Sequence, residues 1–390
     1  MISISNKQDC SGCAACKSAC AHGCIKMEAD REGFSYPKVN SSKCVNCGLC
    51  DKACPILNIP TQNSIKKVIA AKNNKENERF LSSSGGIFYL LAEYIINQGG
   101  VVVGCRFNEE MEAVHSIAES MEELKPLMSS KYVQSNTEGI YRIVRDKLRE
   151  GRRVLYSGVP CQVAALKNYL HKPYENLVTV DVLCHGVPSP KIFKEYRESL
   201  ERRYENKTQS VNFRWKEKSW KRLFINVVFK NKKRHFLYSG YDSYMQLFLS
   251  DRIQRPSCFF CPYNTLHRPG DISLGDFWGI GKKHYEFDDN KGISMVLINN
   301  TTGADLWEKI ASETTNFISD IETAVAGNKV LVQHLPSSAK RDEFYDYYVS
   351  HGFDKAIARF APEASLQHQL YYNFMRWGRD IIRKFKREGY

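Results

Sequence analysis

The 390-residue chain contains no apolar run of membrane-spanning length. Its first residues, MISISNKQDC, have neither a basic n-region nor an apolar h-region, so no secretory signal is expected there. No G-x-G-x-x-G follows an expected strand, which leaves a Rossmann dinucleotide site unsupported. Low-complexity tracts and recognised nucleic-acid motifs are absent too, so nucleic acid is not an expected partner. What the chain does have is charge and cysteine. There are 56 Lys and Arg against 43 Asp and Glu, a formal net charge of +13, with 14 Cys and 43% hydrophobic residues. The length allows two or three domains with a real core. Cysteines at metal-type spacing in such a chain point to a reducing compartment, the cytoplasm.

Eight of the cysteines form two copies of one pattern, C-x-x-C-x-x-C-x-x-x-C. The first is Cys10, Cys13, Cys16 and Cys20; the second is Cys44, Cys47, Cys50 and Cys54, closed by Pro55. A curled loop with two-residue gaps presents three thiolates to three corners of a cubane cluster. The fourth ligand of each cluster comes from the other run, as in two-cluster ferredoxins. The expected ligand sets are therefore Cys10, Cys13, Cys16 and Cys54 for one [4Fe-4S] cluster, and Cys20, Cys44, Cys47 and Cys50 for a second. Zinc sites pair C-x-x-C units instead, and a disulfide framework suits small secreted domains. Ala21 stands where the first run's closing proline is often found; proline ligates nothing, so the assignment is unaffected. Cys24 reads as a buried small side chain. Two thiolate-bound clusters, at roughly −2 each when oxidised, lower the net charge by about 4. The holoprotein stays basic, which suits acidic partners or a membrane surface.

Residues 1–62 form the cluster module, with a hairpin expected over Ile25 to Val39 and a polar linker near Asn58 to Lys67. Beyond it, strands are expected at Val68–Ala71, Val101–Phe107, Ala113–Ala118, Arg153–Ser157 and Leu177–Leu183. Helices are expected between and after them at Ile87–Ile96, Met121–Met128, Thr137–Glu150, Gln162–Leu170 and Ile192–Tyr204. This alternation indicates an α/β layer fold, within an α+β or α/β class overall. From Ser210 strands recur at Val211–Trp215, Leu223–Phe229, His235–Tyr238, Asp271–Leu274 and Ser294–Ile298, and the remainder reads as mainly helical. Ser84, Gly85 and Gly86 open a helix, where free amides suit a phosphate or a serine simply caps.

Cys161, Cys184, Cys258 and Cys261 sit in Gly- and Pro-marked loops, two of them at strand ends. They are expected to converge on a metal centre, either a third [4Fe-4S] cluster or zinc with His185 substituting. Cys161, at a helix start where its pKa should fall, could instead serve beside a flavin. Cys105 reads as core. Leu366 to Tyr390 is expected to form a basic amphipathic helix. It suits packing on its own domain, peripheral membrane contact or an acidic partner.

The chain resembles the coenzyme F-420 hydrogenase/dehydrogenase beta-subunit family over nearly its whole length. The segments that carry the resemblance are Ser83-Ser84-Gly85-Gly86, Ser130-Lys131-Tyr132-Val133-Gln134, Gly158-Val159-Pro160-Cys161-Gln162, Cys184-His185-Gly186-Val187-Pro188-Ser189-Pro190, the Cys258/Cys261 pair, and Gly275-Asp276-Phe277-Trp278-Gly279. The resemblance implies an N-terminal α/β domain of the family type over 63–206 and a C-terminal domain over 207–390. It also implies FAD beside the clusters, with Ser84, Gly85 and Gly86 as candidates for its phosphates. Lys131 is a candidate for a phosphate or the ring, and Asp276, Phe277 and Trp278 for packing nearby. Relatives exchange hydride with a deazaflavin; a similar plant protein reduces a chlorophyll derivative, and others occur in bacterial polysaccharide gene sets. A flavin converts between single electrons and hydride. The expectation is an iron–sulfur flavoprotein oxidoreductase. It would link an external carrier (deazaflavin, nicotinamide or ferredoxin) to a small-molecule acceptor. The competing expectation is an electron-transfer subunit docked to a catalytic redox partner.

Overall fold

The computed structural model describes residues 2–364 and residue 367. The expected basic helix at 366–390 thus lies, apart from residue 367, outside the described residues.

Within the first 60 residues, β1 (Ile25–Ala29) and β2 (Ser35–Val39) form the expected antiparallel hairpin, Ile25 facing Val39. Its turn is held by Asp30, whose carboxylate accepts from the amides of Glu32 and Phe34 at 3.0 Å. Two one-turn helices, Ala15–Ala19 and Leu49–Ala53, carry Cys16 and Cys50. Each follows a left-handed residue, Ala14 or Gly48, so the two cysteine runs repeat one backbone shape.

The chain then leaves β3 (Asn63–Ser64) and enters the main sheet through β4 (Lys67–Asn73), β5 (Val101–Phe107), β6 (Ala113–Ala118), β7 (Val154–Gly158) and β8 (Leu177–Val182). A separate three-stranded antiparallel sheet follows, made of β9 (Thr208–Asn212), β10 (Phe224–Phe229) and β11 (Arg234–Tyr238). β12 (His267–Arg268) pairs back with β3. The last strands, β13 (Ile272–Asp276), β14 (Ser294–Ile298) and β15 (Thr314–Ser319), return to the main sheet. Its eight strands run in the order β15-β4-β14-β13-β8-β7-β5-β6. The four neighbours β13, β8, β7 and β5 are parallel. They read as near-continuous apolar runs because both faces are covered. One face meets helix Ile87–Asn97 through Leu90, Leu91 and Ile95; the other meets Pro160–Leu170 and Ile140–Arg149. Strands from both sides of position 206/207 share this sheet.

The fold is thus the expected mixed α/β architecture with a ferredoxin-like module at its N-terminus. Three local expectations need correction. The stretch read as helical after residue 298 contains the edge strand β15. The strand expected at Val211–Trp215 lies earlier, at Thr208–Asn212, because Asn212 accepts from the Arg214 amide and turns the chain. The helix expected over Met121–Met128 is an α-turn, Met121–Leu124, followed by a 3-10 turn, because Pro126 lacks an amide hydrogen.

The module is packed into the body. Cys13, Ala15 and Ala53 share a core with Val103, Tyr141 and Tyr156. The four parallel strands end together, placing Phe107, Gly158, Val182 and Asp276 on one edge, where α/β sheets place their sites.

Candidate functional site

Three groups of thiols take shape around that edge. Cys10, Cys13, Cys16 and Cys54 are all buried. Burial is the main reason the Cys13 thiol is pushed up to about 12, with Cys54 and Cys10 adding to it. Cys16 is raised in the same way, by burial and then by Cys13, Cys10 and Cys54. These four residues, two from each run's opposite ends, thus feel one another's charge.

Cys20, Cys44, Cys47 and Cys50 line one pocket enclosing about 360 Å³, together with Val45, Asn46 and Gly48. This group is more open: Cys47 is exposed, and Cys20 and Cys44 are half-buried. Backbone amides point at its sulfurs, from Cys24 to Cys20 Sγ at 3.3 Å and from Ile2 to Cys50 Sγ at 3.4 Å. Burial opposes the Cys20 thiolate, yet the amides of Cys24, His22 and Gly23 outweigh it and hold its pKa below the ordinary value. Cys24 is buried, with its Sγ 3.0 Å from the Lys43 carbonyl oxygen.

The scattered cysteines do come together. Cys161 stands in the first turn of the helix after β7, Cys184 just beyond β8, and Cys258 and Cys261 in and after the 3-10 turn Pro256–Phe260. Burial pushes the Cys161 thiol far up, and Cys261, Cys184, Cys13 and Cys258 push it further. Cys184 is raised by burial, then by Cys258 and Cys261. The helix start therefore does not lower the Cys161 pKa as expected; burial among other thiols wins. His185 stands apart, its ring 3.3 Å from Asp251 and half exposed.

The donor chemistry fits iron–sulfur clusters. Four enclosed thiols that raise one another's pKa ionise together only when bound metal supplies compensating charge. Among the described residues no three Cys, His, Asp or Glu side chains gather at the spacing of a single metal ion. A cubane holds its thiolates on four separate irons, further apart than a lone zinc would. The influence of Cys13 on Cys161 makes the first and third groups neighbours. Tyr263 spans them: its pKa is raised by burial and by Cys161, Cys13, Cys261 and Cys54, and its hydroxyl donates to the Pro55 carbonyl at 2.5 Å.

On the far side of Tyr156, which feels both Cys13 and Cys161, lie Cys105, His115 and Lys131. Cys105 is half-buried and packs against the core beside Phe107. Lys131 Nζ donates to the carbonyls of Met128 at 2.6 Å, Pro126 at 2.7 Å and Ser129 at 3.1 Å. Burial lowers its pKa to about 8. The Ser83–Gly86 loop adjoins it, Ser83 Oγ accepting from the Ser130 amide at 2.7 Å. Within that loop, however, Ser84 Oγ donates to Ile293 and the Gly85 amide to Ser294 Oγ, so both phosphate candidates already have partners. Gly86 starts the helix at φ 83°.

The sequence did not single out the cations behind this loop. Arg214 pairs with Asp276 and donates to Tyr132 at 3.1 Å, and it lies over the Trp278 ring at 5.3 Å. Trp220 donates to Asp276 at 3.1 Å and stacks on Trp278 at 4.8 Å. Lys216 donates to the carbonyls of Arg79, Ser84 and Lys291. Their only sequence-level signal was a basic, tryptophan-rich stretch, R-W-K-E-K-S-W.

Comparison with known proteins agrees with this layout. Residues 151–323 match the family described as the carboxy-terminal part of the coenzyme F420 hydrogenase/dehydrogenase beta subunit. Residues 9–57 match the 4Fe-4S dicluster domain. The F subunit of the F(420)H(2) dehydrogenase of Methanosarcina mazei is 24% identical over 201 residues, which cover 48% of this chain and 57% of that protein. The chain thus spans little more than half the length of this curated relative. A chain of the F420-reducing [NiFe] hydrogenase complex from Methanosarcina barkeri, solved after xenon derivatization, aligns at 16% identity with a TM-score of 0.45, covering 76% of this chain and 91% of that one. By these matches the chain belongs to the coenzyme F420 hydrogenase/dehydrogenase beta-subunit family and carries a 4Fe-4S dicluster domain at its N-terminus.

Proposed function

We propose that this chain is an iron–sulfur flavoprotein of an oxidoreductase, moving electrons between an external carrier and a small-molecule acceptor. The observation that carries the reading is the adjacency of the thiol groups, with Cys13 and Cys161 close enough to raise each other's cost of ionisation. Cys10, Cys13, Cys16 and Cys54 would hold one [4Fe-4S] cluster, Cys20, Cys44, Cys47 and Cys50 a second, and Cys161, Cys184, Cys258 and Cys261 a third. Cys47 would put the second group outermost, and Tyr263 and Tyr156 fill the space between the inner groups and exclude water. Bound FAD would supply the conversion between single electrons and hydride. Lys131 is the residue we assign beside its ring, since a desolvated cation favours negative charge nearby. Ser84, Gly85 and Gly86 would then shape the loop against the sheet. The acceptor, and any link to polysaccharide biosynthesis, follow from the kinship alone.

A second reading, an electron-transfer subunit docked to a catalytic partner, is favoured by the surface around the open thiol group. There Val45, Leu49, Leu57 and Ile59 are exposed.

Anaerobic reconstitution tests the proposal. About twelve irons per chain and a flavin absorption band are expected, and Cys258→Ser should remove about four irons. Fewer than about four irons in the wild type would sink the cluster assignment. Flavin bleaching in a screen of deazaflavin, nicotinamide and reduced ferredoxin would identify the carrier. Turnover of a small molecule without a second protein separates the first reading from the second.

A further inference from the structure

Arg255 is 0% exposed, among the largest fully buried side chains of the protein. Its guanidinium donates to Cys10 O at 2.6 Å, to Ser35 O at 3.0 Å and to Gln134 Oε1 at 3.1 Å. All three acceptors are neutral. Among the described residues no carboxylate lies within ion-pair distance of it. The nearby Asp30 and Glu32 are paired elsewhere, with Lys7 and Arg341. Its flat faces meet aromatic rings, Tyr36 at 4.3 Å and Phe34 at 5.4 Å. An enclosed cation with only neutral partners is costly, so its surroundings must supply the negative charge.

Those surroundings are two thiol groups. On one side Arg255 holds the loop of Cys10 to Cys13, and Gly12 is pressed so close that a Cβ there would come 2.6 Å from the guanidinium. On the other, its own carbonyl accepts from the Cys258 amide at 3.0 Å, at the start of the turn that carries the thiol. Burial pushes the Cys258 thiol up to about 12, and Arg255 pulls against that rise.

We propose that Arg255 is the shared counter-charge of the first and third thiol groups and sets the reduction potentials of the clusters they hold. This rests on the cluster assignment proposed above. When such a centre takes up one electron its negative charge grows by one, and no proton need accompany it. A fixed guanidinium nearby stabilises the reduced form and so raises the potential. Arg255 is a positioning residue that touches no substrate.

The test is an anaerobic, EPR-monitored redox titration of the reconstituted full chain with dithionite, alongside iron analysis. Iron content and the EPR signals test the clusters themselves; the midpoint potentials test Arg255. Arg255→Gln should keep its iron and shift at least one of the two inner midpoints to more negative values, while Arg255→Lys stays near the wild type. The more open cluster should not move. Potentials that follow charge support the proposal. Equal shifts in the Gln and Lys variants would mean that Arg255 only braces the joint, and unchanged potentials in Arg255→Gln would also overturn the proposal. Should Arg255→Gln lose iron, Gln134→Glu decides, because it sets a carboxylate against the guanidinium without removing it. The same negative shift is then expected, and no shift overturns the proposal.

Discussion

Arg268 and Asp181 form a buried ion pair behind the third thiol group. The carboxylate also accepts from the Gly270 amide at 2.8 Å, and the guanidinium donates to the Tyr263 carbonyl at 3.0 Å. Arg268 is thereby tied to the chain just beyond Cys261. Arg268→Met leaves Asp181 charged and enclosed, which should cost roughly 3–5 kcal/mol. An anaerobic melting experiment should find the variant well below the wild type. Lys216 makes a different prediction. Burial is the largest cause of its lowered pKa, about 7, with Arg79 and Arg214 adding to the effect. An unfolded lysine titrates near about 10.4. Between those values the unfolded chain binds more protons, so the contribution of Lys216 to stability falls as pH drops toward 7 and grows as pH rises. Relative to Lys216→Met, the wild type should gain about 1–2 kcal/mol between pH 7 and 9, measured by parallel anaerobic melts across that range. A difference that shrinks with rising pH would contradict the assignment.

At the scale of elements, Gly85 separates two accounts of the loop before helix Ile87–Asn97. A Cβ at Gly85 would run into the Ala71 carbonyl and lie 2.6 Å from the Ser294 amide, both on strands of the main sheet. The glycine is therefore needed for close packing of the loop on β4 and β14. Gly85→Ala should destabilise by about 2–3 kcal/mol, seen as a lower melting temperature before any flavin is added. A variant of unchanged stability that had lost only flavin would restore the phosphate account. The same loop marks where the sequence stopped being legible. Strands buried on both faces, such as Val101–Phe107, were legible from their apolar runs, and the paired cysteine runs from their spacing alone. β15 was not, because an edge strand exposing Ile318 at 71% lacks the inward apolar face that pattern reading depends on. The partners of Ser84 and Gly85 were invisible for another reason. Ile293 and Ser294 lie more than 200 residues away and meet them only once β14 inserts beside β4. The convergence of Cys161, Cys184, Cys258 and Cys261 could be suspected from their loops. Arg255 between two of the groups could not, since it depends on how the module docks.

For the whole molecule, that docking is the feature a linear domain map hides. The polar linker near residue 60 suggests a tethered module, yet body side chains grip the module's backbone at many points. Thr137 donates to Cys13 O at 2.7 Å, Arg142 to Ser18 O at 3.1 Å, Ser189 to Glu32 O at 2.6 Å, and Asn168 to Asn58 O at 2.6 Å. Arg341 adds a buried pair with Glu32. Several of these bonds end on the carbonyls of cysteines or their neighbours, so the body fixes the position of the inner thiols relative to Cys161. Fixed spacing is what a relay requires, because a swinging module would make each transfer wait on diffusion. Cleavage within the 58–66 linker should therefore leave the two fragments associated on native gel filtration, with iron content unchanged, until denaturant is added. Asn168→Ala, which removes the clamp nearest the linker, should loosen the cut protein without dissociating it. Spontaneous release of an intact iron-loaded module from the cut wild type would show that it is tethered rather than built in, and the fixed relay geometry would fall with that result.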